Sequence, residues 1–107
     1  MTSGMKYLEV NHIVHRDLAL RNIFVTLNDK GEYVVKIGDF GMSRSVEKGY
    51  YKTDDKTIPV RWSAPEFIHF GITTHKSDTW SFGVCLWELF SYGAIPFAGL
   101  GNRVFII

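Results

Sequence analysis

Hydrophobic and polar positions divide this chain into segments of different period. Met5, Leu8 and His12 fall at helical intervals, so Gly4 to Asn11 is expected to form the last turns of a helix that leads into a polar loop. Ile23-Phe24-Val25-Thr26 and Tyr33-Val34-Val35-Lys36-Ile37 are β-branched and aromatic runs parted by Asn28-Asp29-Lys30-Gly31, a β-hairpin signal. From Met42 to Ile58 periodicity is lost and polar residues dominate, as in a long loop. Pro65 to Phe70 fits a short helix opened by proline. Ser77 to Phe90 is the strongest helical stretch, with Ser77 suited to the N-cap, Asp78 complementing the positive end of the helix dipole, and Gly93 as a stop. It is apolar on nearly every side, so it is expected to be buried all round. Pro96-Phe97-Ala98-Gly99 reads as a turn, and Asn102 to Ile107 as the beginning of a further helix.

Composition narrows the picture. With 46% hydrophobic and 15% aromatic residues over 107 positions, the chain has the make-up of a globular core and the length of one small domain. A net charge of +1 and scattered Lys and Arg give no electrostatic footprint for nucleic acid or for a membrane surface. The single Cys85 lies between Val84 and Leu86, which suits a buried small hydrophobe and excludes an internal disulfide framework. There is no signal-peptide pattern and no apolar run of about eighteen residues that would span a bilayer. His12, His69 and His75 lack metal-ligand spacing and read as surface or core histidines.

The chemistry concentrates in His15-Arg16-Asp17-Leu18-Ala19-Leu20-Arg21-Asn22, where an acid, an amide and two guanidinium groups sit between the mostly apolar runs Asn11 to Val14 and Ile23 to Val25. The order His-Arg-Asp, four residues, Asn is followed by Asp39-Phe40-Gly41 and then by Ala64-Pro65-Glu66. These three ordered motifs resemble the catalytic loop, metal loop and activation-segment end of protein kinases.

The resemblance implies roles. Phosphoryl transfer needs an aligned hydroxyl, metal ions that bridge the phosphates and compensating positive charge. Asp17 is then the base for the substrate hydroxyl, with Arg21 as its cationic partner; Asn22 and Asp39 are the Mg²⁺ ligands that act once ATP is bound. His15 is expected to pack against Phe40 rather than serve as a base, and Gly41 to supply backbone freedom beside Asp39. Phe24 stands where the family usually has Leu beneath the adenine, and a bulkier floor would raise or tilt the nucleotide. Asp78 resembles the residue that hydrogen-bonds the catalytic-loop backbone at His15 and Arg16, a role compatible with its plain reading as a first-turn dipole residue. Glu66 resembles a residue that pairs with an Arg of a later helix; left alone and buried, it would cost about 3–5 kcal/mol.

Two features point to tyrosine as the acceptor. Serine/threonine kinases typically carry Lys two residues after the catalytic Asp; here that position is Ala19, and Arg21 follows Asp17 by four residues as in tyrosine kinases. Pro59-Val60-Arg61-Trp62 is similar to the tyrosine-kinase substrate platform. Tyr50-Tyr51 resembles the paired autophosphorylation tyrosines of receptor and focal-adhesion branches, whose phosphates Arg16 and Arg44 would clamp; the plain alternative is a pair of exposed loop aromatics.

The same resemblance exposes a shortfall. The family's Gly-rich loop and strand Lys precede the catalytic loop, and the fourteen residues before His15 hold neither. Residues 1–107 are therefore expected to form a partial kinase domain of α+β, mainly α class: catalytic loop, hairpin, activation segment and buried central helix of the large C-terminal lobe, without the small lobe. The expected partners are ATP and protein substrates bearing tyrosine, with no nucleic acid and no membrane contact from this segment, in an intracellular setting that is either cytoplasmic or the cytoplasmic portion of a receptor. Alone, the chain is expected to be inactive. The rival readings are a non-catalytic interaction module or phosphorylation target derived from a truncated kinase, and an incomplete sequence of a longer enzyme.

Overall fold

A computed structural model describes residues 2–54 and 58–101. Helix α1 (Thr2–Val10) leads into strand β1 (Ile13–Val14), then a 3₁₀ turn (Leu20–Asn22) and a hairpin of β2 (Ile23–Leu27) and β3 (Tyr33–Ile37). Strands β4 (Arg44–Ser45) and β5 (Tyr51–Lys52) follow, then a second 3₁₀ turn (Val60–Trp62), helix α2 (Pro65–Phe70), β6 (Ile72–Thr73) and helix α3 (His75–Phe90). The result is a mixed α and β architecture with three separate two-stranded antiparallel sheets, β1–β4, β2–β3 and β5–β6. No described helix is long and apolar enough to cross a membrane.

The hairpin follows its sequence signal. Asn28 organises the turn: its side-chain oxygen accepts from the N–H groups of Lys30 and Glu32, and Gly31 takes φ 76°. The register pairs Ile23 with Ile37, so the residues just beyond, Asn22 and Gly38, meet at the open end, where Gly38 N–H donates to Asn22 O at 2.9 Å.

The segment expected to be an aperiodic loop is pinned at two points. Val14 pairs with Arg44, and Tyr51 pairs with Thr73. Two-residue strands leave no periodic trace, because pairing this short is carried by the backbone rather than by a buried face. Gly71 makes the second pairing possible. It caps α2 in the left-handed region at φ 68°, and Thr53 donates its N–H to Gly71 O at 3.0 Å; a Cβ at this position would overlap the Thr53 carbonyl.

Helix α3 departs from expectation at its start and along its sides, and stops at Gly93 as expected. Its N-cap is Thr74, not Ser77: Thr74 Oγ1 accepts from Lys76 and Ser77 N–H, while Ser77 Oγ accepts from Thr74 N–H, a capping box. At the other end Tyr92 takes the left-handed turn at φ 58°. Gly93 N–H then reaches Glu88 O at 2.8 Å and Tyr92 N–H reaches Leu89 O at 3.3 Å, a Schellman closure. The helix is also not buried all round. Ser77, Asp78, Ser81, Cys85 and Glu88 form the buried stripe, whereas Trp80, Trp87 and Phe90 are exposed. The described elements pack on one side only, and the open side forms an apolar groove of about 680 Å³ with Trp80, Val84, Trp87, Ile95 and Phe97 in its wall. The expected helix at Asn102–Ile107 lies outside the described residues.

Gly71→Ala is expected to lower the urea midpoint by an amount equivalent to more than about 1 kcal/mol, because the methyl group meets a carbonyl and the left-handed backbone is strained. Faster amide exchange at Thr53 would locate the damage at the β5–β6 pairing.

Candidate active site

The polar loop is shaped by hydrogen bonds from beneath. Asp78, 3% exposed, accepts two successive backbone N–H groups, from His15 at 2.6 Å and from Arg16 at 3.0 Å. To present them together the chain turns through Arg16 at φ 73°, a strained region for a residue with a side chain. Burial pushes the Asp78 carboxyl above its usual range, and the two N–H groups partly offset that rise.

His15 joins the two halves of the site. Its Nδ1 accepts from Asp17 N–H at 3.1 Å and its Nε2 lies 2.7 Å from Gly38 O. A backbone N–H only donates and a carbonyl only accepts, so the ring carries a proton on Nε2. Phe40 packs its ring 5.1 Å from that of His15 and remains half exposed. Gly38 is thereby tied both to His15 and to Asn22, and Asp39 emerges from this junction at φ 54°. The left-handed residue of Asp39-Phe40-Gly41 is thus Asp39, while Gly41 contributes its N–H, which donates to Asp39 Oδ1 at 3.3 Å.

Around Asp17 the side chains converge. Arg21 Nη2 lies 2.6 Å from Asp17 Oδ1, and Asn22 Nδ2 donates to Asp17 O at 2.7 Å and to Asp17 Oδ2 at 3.1 Å. Each carboxylate oxygen has a separate partner. Both Asn22 donor bonds end on Asp17, which leaves its side-chain carbonyl without a role in that contact, and the Asp39 side chain is exposed. No cluster of three or more His, Cys, Asp or Glu suited to a metal occurs among the described residues.

Other expected residues lie further out. The Arg21 guanidinium stacks 4.9 Å over the Trp62 ring, which links the loop to the Pro59–Trp62 segment. Pro59 O accepts from Trp62 N–H at 3.0 Å and from Ser63 Oγ at 2.7 Å, and Val60 opens the second 3₁₀ turn. Arg61 turns away from the loop and donates to the carbonyls of Pro96, Phe97 and Leu100 at 2.7–2.9 Å. Glu66 is half-buried and forms no ion pair among the described residues, so solvent reaches it and a full buried-charge penalty does not arise. Arg16, buried, lies 4.9 Å from the Tyr51 ring and 5.4 Å from that of Phe67; Arg44 lies 5.7 Å from Tyr51. The two cations meet at Tyr51, while Tyr50 is 53% exposed.

Two contributors escaped the sequence reading. Glu88, 8% exposed, accepts Leu20 N–H at 2.7 Å; an acid set among the apolar residues of the helix's last turns was the available signal. Gly38 is the other: the Phe24 ring lies where a Cβ at 38 would stand. Cys85, buried, has its thiol pushed up to about 11 by burial and by the charge of Glu88.

A family model described as protein tyrosine and serine/threonine kinase matches residues 1–106, so the chain belongs to that family. Its relatives at about half identity are tyrosine kinases. The Tyrosine-protein kinase transforming protein Fps of Avian sarcoma virus (strain PRCII) is 50% identical over 103 residues, 94% of this chain and 19% of that protein. The Activated Cdc42 kinase-like protein of Drosophila melanogaster is 52% identical over 103 residues, 92% of this chain and 7% of the relative, and human Tyrosine-protein kinase Fer is 47% identical over 102 residues, 94% and 12%. The chain thus spans less than a fifth of the length of these relatives.

Gly38→Ala is expected to lower the urea midpoint by displacing the Phe24 ring, and Phe24→Leu in the same chain to restore it, with a coupling of about 1 kcal/mol in the double-mutant cycle. Asp78→Asn replaces one acceptor oxygen by a donor facing an N–H and should cost about 1–3 kcal/mol at neutral pH. Because the folded chain holds the Asp78 proton more tightly than the unfolded chain, stability from this group falls as pH rises from 3.8 through the folded value. The deficit of the Asn variant should therefore grow on acidification through that window, as urea titrations at several pH values would show.

Proposed function

We propose that this segment is the catalytic part of the large lobe of a protein tyrosine kinase, occupying residues 1–107, and that the parent enzyme moves the γ-phosphoryl group of ATP to a tyrosine hydroxyl. The observation that carries the reading is the fixing of Asp17 by Arg21 on one carboxylate oxygen and by Asn22 on the other. In this role Asp17 keeps free lone pairs, orients the incoming hydroxyl and accepts its proton as the new oxygen–phosphorus bond forms and ADP departs with the electrons of the broken one. Arg21 holds a cation beside the carboxylate without occupying the approach of a long phenol.

Asn22 and Asp39 are the residues that would hold Mg²⁺, which when bound neutralises charge on the phosphates. The positive-φ turn at Asp39 and the His15 bond to Gly38 hold the Asp39 backbone in register with Asn22. Phe24, lying over Gly38, is the floor for the purine base. Tyr51 is the regulatory tyrosine: a phosphate on it would add nearly two negative charges beside Arg16 and Arg44, and their pairing would order the activation segment. Use of ATP makes the setting intracellular, in the cytoplasm or the cytoplasmic part of a receptor. The exposure of Tyr50 favours a second role for the segment as a phosphorylation target of another kinase.

The test is a chimera in which residues 1–107 replace the matching segment of a tyrosine kinase relative that supplies the small lobe. Phosphate transfer to a tyrosine peptide is expected in the chimera and should fall by about 10²–10⁴-fold in its Asp17→Asn form. A chimera as active with Asn as with Asp removes the assignment. The isolated chain should give no detectable transfer, since the family's Gly-rich loop and strand Lys are absent from it.

A further inference from the structure

The geometry points to Glu88 as a positioning residue for the catalytic turn, a role that rests on reading Asp17 and Asn22 as the reacting pair. The 3₁₀ turn Leu20–Asn22 carries Arg21 and Asn22, the two side chains that hold Asp17. A turn of this kind starts with N–H groups that need an acceptor, and the residue at its N-cap position is Ala19, which has none to offer. Glu88 supplies it from another element: its Oε2 accepts Leu20 N–H at 2.7 Å from a helix sixty-eight residues away in sequence.

Burial makes this bond decisive. Glu88 is 8% exposed, and Leu18 and Ala19, just before the turn, are fully buried. The bond itself is part-buried, so an N–H that loses this acceptor is only partly compensated by water. The same helix holds the other end of the loop through Asp78, which takes His15 and Arg16 N–H. Asp78 and Glu88 lie ten residues apart, about 15 Å along a helix. Helix α3 thereby acts as a ruler that grips the loop at both ends, and Asp17 sits between the two grips. Glu88 does not touch Asp17. It sets where the turn begins, and so where Arg21 and Asn22 project.

The deciding variants are Glu88→Gln, which keeps an acceptor oxygen of the same reach without the charge, and Glu88→Ala, which removes it. In the ¹⁵N-labelled 107-residue chain, amide exchange at Leu20 should accelerate about ten- to a hundredfold in the Ala variant, the loss expected for a hydrogen bond to a charged acceptor. The Asn22 side-chain amide and Arg21 Nε–H signals should collapse toward solvent-averaged positions in Ala and return in Gln. Exchange at His15 and Arg16, held by Asp78, should stay unchanged. Equal protection of Leu20 in all three chains would overturn the proposal. So would a loss spread evenly over Leu20, His15 and Arg16 in the Gln variant, since Glu88 would then serve only the general fold. None of these readouts depends on phosphate transfer, so inactivity of the chimera would leave them standing and their failure would leave the kinase reading standing.

Discussion

Everything around Asp17 is suspended from a buried carboxylate. Asp78 takes two adjacent backbone N–H groups, and the polar loop can satisfy both only by turning through a left-handed Arg16. That turn sends the Arg16 side chain down to Met42 and Tyr51 and leaves the His15 ring between Asp17 and Gly38. An ionised group withdrawn from water is costly unless hydrogen-bonded, so the helix and the loop constrain one another in both directions. Strain in the loop is tolerated because undoing it would strand the carboxylate.

Helix α3 is arranged contrary to the usual amphipathic order. Its buried stripe is rich in polar groups, and each has a use: Ser77 closes the capping box, Ser81 donates to Trp62 O, and Asp78 and Glu88 hold the loop. Its tryptophans face outward. A helix that buries hydrogen-bonding groups specifies geometry more tightly than one that buries only apolar surface, because a slip by one residue would leave several of them unsatisfied. Arg61 extends the logic to the next loop by collecting three carbonyls from the segment after α3.

Periodic signals carried most of the elements. The hairpin was legible because Asn28 and Gly31 separate two β-branched runs, and α2 because proline opens it. The start of α3 was misplaced because Ser77 and Asp78 imitate an N-cap with its first-turn acid, whereas Thr74 does the capping immediately before a polar His75-Lys76 turn. The expectation of all-round burial failed for a different reason: apolar content tells what a helix could bury, not which neighbours are there to cover it. At the site, ordered motifs named Asp17, Asn22 and Asp39, but no motif encodes a bond such as Glu88 to Leu20, which depends on tertiary register. Nor does spacing reveal that Gly38 must be small for the Phe24 ring to lie over it.

The placement of the three indoles gives the molecule an internal set of optical reporters. Trp62 is sheltered and stacked beneath the Arg21 guanidinium, whereas Trp80 and Trp87 stand half in solvent along the open groove. Emission from the first is coupled to the cation that holds Asp17, and emission from the other two to whatever wets or covers the outer face of α3. Bluer light from the outer pair thus signals burial of that face, and a change in Trp62 alone signals movement of the cation.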